Sequence, residues 1–180
     1  HGELGLSQLA VSATPCGHCR QFINELNDAA TIDVLLPQQP NIAFKQLLPL
    51  SFGPDDLEVK DRLMQSKNNA IPLISTNKLE DVAIRAARTS YSPYSGCPSG
   101  VSLATNSDIY YGRYAENCAY NPSLSPLQGA LINLHLAGEK LSDITQAVLV
   151  ERQDGAVSQY ALTQALLIQL GVSSFSCLHF

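Results

Sequence analysis

"TPCGHC" (residues 14–19) sets two thiols three positions apart behind a proline, and its flanks decide what the segment builds. Upstream, "LSQLAVSA" (6–13) is a short apolar run with the length of a buried strand. Downstream, "RQFINELNDA" (20–29) puts Phe22, Ile23 and Leu26 on one helical stripe, and "TIDVLLP" (31–37) is a second strand closed by Pro37. Strand, helix and strand in this order predict a right-handed βαβ unit in a parallel sheet, with the Cys-x-x-Cys at the strand-to-helix junction. The chain is therefore expected to be an α/β protein.

A short helix around 44–48, the loop "LPLSFGPDDL" (48–57) and the polar stretch "QSKNNAIP" (65–72) come next. The last is read as a linker, with a boundary near residue 70 that makes domains of 1–70 and 71–180. The second part opens with "KLEDVAIRAART" (78–89), whose Leu79, Val82, Ala83, Ala86 and Ala87 keep helical spacing. After the turn-rich "SYSPYSGCPSG", the strands "VSLAT" (101–105) and "IYYGRYAE" (109–116) flank "NSD", a hairpin connection. A helix at 126–138 ending in Gly138, a strand at 143–151, a helix at 160–171 ending in Gly171 and a terminal strand complete the order. The final strand, helix and strand repeat the order of residues 6–37. Residues 1–50 thus read as the back half of a domain whose complete but altered copy is 75–180. The start at His1-Gly2-Glu3, without methionine, reads as a fragment.

With 180 residues, 45% hydrophobic and 15% charged, the chain has the composition of a globular protein able to bury a core. A formal charge of -5 without a basic run gives no footprint for a nucleic-acid backbone or an anionic membrane. No apolar stretch reaches the roughly 20 residues of a membrane span, and no secretory signal opens the chain, so a cytoplasmic location is expected. Five scattered cysteines make a poor disulfide framework. Cys97, Cys118 and Cys177 read as small buried residues, and Asp55, Asp56 and Glu58 as an acidic helix start.

Only Cys16 and Cys19 invite chemistry, and two readings stay open. A Cys-x-x-Cys before a helix is how dithiol oxidoreductases lower the pKa of an attacking thiol. The residue before the first cysteine is Pro15, however, where those proteins carry an aromatic. The same two thiolates can bind one tetrahedral zinc ion, the helix N-terminus favouring their charge. His18 lies between them and is read as solvated, and His1, His135 and His179 as isolated. Arg20 could moderate the thiolate charge or be simply solvated.

"TPCGHCRQFINEL" followed by "LLPLSFGPDDL" closely resembles the cytidine deaminases, whose zinc signature pairs an upstream H-x-E or C-x-E with a downstream P-C-x-x-C. Pro15, Cys16 and Cys19 supply the downstream half. The upstream half is missing from the expected region, because Glu3 after His1 has the wrong spacing and too little chain before it. "SPYSGCPSGVSLATNSDIYYGRYAENCAYNPSLSPLQGALI" is similar to the family's front half, with telling departures. Tyr114 stands where the ribose-binding Asn falls, although Glu116 and Asn117 remain. Ser125, Pro126 and Leu127 stand where the catalytic triplet falls, and "VERQDGAVSQ" has no cysteines.

The resemblance implies a three-layer α/β/α fold with a mixed sheet, a partial catalytic domain followed by a complete degenerate copy, as in the long homodimeric members. It implies hydrolysis of cytidine and deoxycytidine in pyrimidine salvage, with one Zn2+ per catalytic domain. Cys16 and Cys19 would be metal ligands, the third ligand and the general acid/base Glu lying upstream of His1. Thr14 and Pro15 would line the base pocket, with Phe52 beside the pyrimidine. Ala119 and Tyr120 would reach across a dimer to the partner's pocket. The chain by itself would be inactive, or only a structural or dimerisation module.

Overall fold

The computed structural model describes residues 3–65 and 68–180, so His1, Gly2 and two residues of the expected linker, Ser66 and Lys67, lie outside the described residues. The chain divides into two units, 1–66 with Glu116–Ser123, and 67–115 with Leu124–Phe180. No helix among the described residues is long and apolar enough to cross a membrane.

In the first unit β1 (Gln8–Ala10) pairs in parallel with β2 (Asp33–Leu35), joined through α1 (Gly17–Ile23), as the βαβ pattern predicts. A two-residue strand, β3 (Ile42–Ala43), adds antiparallel to β2 and leads into α2 (Phe44–Leu47). The core is Ile23, Leu26, Ala29, Ile32, Val34 and Phe44. The helix expected at 20–29 is displaced. It starts earlier because Arg20 N–H closes the first turn on the Cys16 carbonyl at 3.0 Å. It stops earlier because Glu25 and Leu26 tighten onto Phe22 and Ile23, and Asp28 then takes a left-handed conformation, φ 53°. The acidic start at Asp55 and Asp56 is a single 3-10 turn, Pro54–Leu57, and Glu58 lies beyond its end.

In the second unit the sheet order is β5 (Ile109–Arg113), β4 (Ser99–Ala104), β6 (Gln146–Glu151), β7 (Ser174–His179), parallel only between β6 and β7. Alternation along β6 divides the core. Val148 and Val150 face α3 (Lys78–Arg88), packing with Leu79, Ala83, Ile84 and Ala87. Ala147 and Leu149 face α4 (Pro126–Leu136) and α5 (Tyr160–Gln169), packing with Leu127, Ala130, Leu134 and Leu167. This unit is three-layered α/β/α with a mixed sheet. Each buried leucine contributes about 1.5–3 kcal/mol relative to exposure.

The helix ends follow from local chemistry. Asn77 Oδ1 accepts from Glu80 N at 3.0 Å to start α3, and Ser125 with Gln128 forms a capping box behind Pro126 to start α4. The stretch read as a linker is pinned from Asn69 onward. Its amide N–H reaches the Arg88 carbonyl at 2.7 Å and its side chain donates to the carbonyls of Ala87, Arg88 and Ser90, covering the otherwise unpaired end of α3. Ile71 then enters the core. Gly112 lets β5 approach α4, since a Cβ there would stand 2.1 Å from the Pro126 carbonyl oxygen.

Candidate functional site

Cys16 is the extended residue before α1, φ −71° and ψ 175°, and Cys19 lies in the first turn. Their sulfurs are 3.4 Å apart and both residues are exposed. The Cys16 thiol is held below its ordinary value, first by the Cys19 backbone amide and then by the Cys19 side chain, against a smaller opposing effect of desolvation. The shift favours the thiolate, the form of a cysteine that binds a metal. The spacing fits zinc: two Zn–S bonds of about 2.3 Å at a tetrahedral angle set their sulfurs about 3.8 Å apart. Two thiols make half a site. The one three-ligand group among the described residues comprises Glu151, Cys177 and His179, not this pair, and His18 adds nothing to it.

The loop carrying the pair is clamped from below. Arg20 donates through Nε to the Pro15 carbonyl at 2.8 Å and through a terminal nitrogen to the Leu47 carbonyl at 2.7 Å, tying the loop to the end of α2. Its guanidinium thus holds backbone. Pro15 is buried while Thr14 is exposed.

Phe52 and the segment 116–123 meet the outer side of α1 in the same unit. Gln21 and Asn24 donate side-chain N–H bonds to the Phe52 carbonyl at 2.8 and 3.1 Å, leaving the ring 48% exposed. Asn117 donates to the Gln21 carbonyl at 3.0 Å, and its Oδ1 accepts the Ala119 amide at 2.9 Å. The Cys118 amide donates to the fully buried carboxylate of Glu25 at 2.8 Å. Burial and the Glu25 carboxylate push the Cys118 thiol up to about 11. Tyr120, at the crest, has φ 61° and is 74% exposed. Gln21, Asn24 and Glu25 escaped the sequence reading. The signal was present as polar residues at i, i+3 and i+4 on the helix that carries the thiols.

In the second unit, Ser125, Leu127 and Tyr114 serve the fold. Ser125 caps α4, Leu127 is 1% exposed in the core, and Tyr114 is buried. At the start of α5 the Glu151 carboxylate accepts the Gln159 amide at 2.6 Å and the Ser158 hydroxyl at 2.8 Å.

A family model described as the cytidine and deoxycytidylate deaminase zinc-binding region matches residues 44–164. The chain is 48% identical over 170 residues to a cytidine deaminase of Pectobacterium carotovorum, covering 94% of this chain and 57% of that protein. It is 48% identical over 174 residues to a cytidine deaminase of Yersinia pestis, covering 96% of this chain and 59% of that protein. It thus spans somewhat more than half the length of these relatives. Among solved structures, the cytidine deaminase of Burkholderia pseudomallei is similar at TM-score 0.47 and 24% identity, over 54% of this chain and 78% of that one. That of Mycobacterium tuberculosis is similar at TM-score 0.45 and 23% identity, over 56% and 81%. This family model matches two thirds of the chain, and the chain therefore belongs to the cytidine and deoxycytidylate deaminase family.

Proposed function

We propose that this chain supplies the two thiolate ligands of a zinc-dependent cytidine deaminase. The observation that carries the reading is the exposed Cys16 and Cys19 pair, 3.4 Å between sulfurs at the first turn of α1, in a chain of this family. A zinc ion held there supplies Lewis acidity that makes water nucleophilic near neutral pH. Thr14 and Pro15 line the pyrimidine pocket with Phe52 beside the base, and Ala119 and Tyr120 reach across the homodimer to cover the partner's pocket. Gln21, Asn24 and Glu25 hold Phe52 and the 117–120 turn to the thiol-bearing helix. The third zinc ligand and the proton-shuttling Glu come from a part of the whole protein outside this chain. Residues 71–180 form a degenerate copy of the deaminase domain, its Ser125, Pro126 and Leu127 unable to ligate a metal or move protons. The whole protein is a homodimer of the cytoplasm that converts cytidine and deoxycytidine to uridine and deoxyuridine in pyrimidine salvage, and this chain alone does not turn over.

The test is the loss of cytidine absorbance with this chain alone and with the whole protein containing it. The whole protein should convert cytidine, losing activity to a chelator and in C16S/C19S, while the chain alone stays silent. Turnover by the chain alone sinks the proposal. So would a whole protein that is indifferent to chelation while Cys16 and Cys19 cycle to a disulfide, which favours the dithiol reading.

A further inference from the structure

The C-terminal ends of β6 and β7 bring together three ligand-bearing side chains that the deaminase reading does not use. Register pairs Glu151 with His179 and Leu149 with Cys177, so Glu151, Cys177 and His179 share one face of the sheet. Their ligand atoms all lie within 4.8 Å of one another. It is the face under α4 and α5, because Leu149 and Cys177 pack into that core.

We propose that Glu151, Cys177 and His179 form a binding site for a divalent cation of the zinc class in the second unit. Carboxylate, thiolate and imidazole together suit a borderline-soft ion. A tetrahedral ion needs its donors about 3.3–3.8 Å apart, a contraction that side-chain rotation provides. Glu151 is already aimed, since its two oxygens each accept one bond, from Ser158 Oγ and Gln159 N, leaving a lone pair on each. A second observation points to the same place. Ser99 on β4 pairs directly with Glu151 and is 1% exposed, and its hydroxyl has no hydrogen-bond partner among the described residues. Three protein ligands leave a fourth position for water, and Ser99 is a buried polar group on the same face beside Glu151. Burial, and then the nearby Glu151 carboxylate, push the Cys177 thiol up to about 12. A cation reverses that local logic: it takes the place of the thiol proton, which leaves to solvent, and both groups become ligands of one positive charge. The ion ties β7 to β6.

Titration with Co2+ of the chain carrying C16S/C19S tests the site with the thiol pair of α1 removed. A single equivalent of cobalt should bind, with a thiolate charge-transfer band in the near ultraviolet and tetrahedral visible bands. C177S should abolish the near-ultraviolet band. H179A, at an exposed position that leaves the fold intact, should weaken binding at least about ten-fold. No cobalt bound in the C16S/C19S chain, a thiolate band surviving C177S, or unchanged affinity in H179A would each overturn the site. Because both α1 thiols are absent throughout, none of these results bears on the deaminase reading.

Discussion

β1, α1 and β2 follow the same plan as β6, α5 and β7: two parallel strands joined through a helix. The two differ in what meets the first turn of the helix. In the first, the extended Cys16 and the following turn present two exposed thiols, and the strand before them ends in Ala10. In the second, β6 ends in Glu151, whose carboxylate accepts the Gln159 amide at 2.6 Å and closes the helix start from within. The unpaired amides and partial positive charge of a helix start favour an anion in either case. Where the strand supplies a carboxylate, the helix start receives its anion from within the fold; where it does not, two exposed thiols stand there instead.

Substitutions can break or sharpen this contrast, and the largest effects should come from the cores. Phe44→Ala in the first unit should cost roughly 3–5 kcal/mol and Leu167→Ala in the second about 2–5 kcal/mol by denaturant unfolding. Each side chain is 1% exposed or less. A loss below about 1 kcal/mol at either would show that the core is misassigned. Next comes Gly112→Ala, whose new Cβ would meet the Pro126 carbonyl at 2.1 Å and the Ala130 nitrogen at 2.3 Å. Overpacking of this kind should cost about 1–3 kcal/mol and lower the melting temperature.

The comparison itself is tested by Glu151→Gln and Cys16→Ala. Removing the charge at α5 should cost about 1–2 kcal/mol, while Cys16→Ala should leave the melting temperature where it was. Equal losses at the two positions would mean that α1 is also finished by its own side chains. The smallest effect expected is on pH. The Cys118 thiol is raised from an ordinary 9.0 to about 11, so the folded state holds this proton more tightly than the unfolded chain does. Its contribution is complete below pH 9 and is lost as pH rises toward 11. Melting temperatures in that range should fall less steeply in Cys118→Ala than in the parent chain; parallel curves would exclude the thiol as the cause.

Most elements were legible because their signals are local. The stripe Leu79, Val82, Ala83 announced α3, and Gly138 and Gly171 marked the ends of α4 and α5, where both take positive φ, 83° and 80°. The thiol pair was legible through its spacing. The displaced ends of α1 were not, since the tightening at Glu25 and Leu26 depends on how the chain turns into Ile32 and Phe44. The polar look of 65–72 likewise concealed a clamp, because hydrophilicity does not say which carbonyls Asn69 will find.

By itself, the sequence determined the order of strands and helices apart from β3, the placing of Cys16 and Cys19 at the start of α1, and the family, all of which rest on periodicity, spacing and matched residues. Only the tertiary structure decided that Glu25 would be buried beneath the Cys118 amide, that Arg20 would hold backbone, and that Glu151, Cys177 and His179 would converge. The reason is physical. Periodicity follows from the repeat of one helix or strand, whereas these contacts join residues 5 to 93 positions apart or on neighbouring strands, and their partners exist only once the sheet register is set.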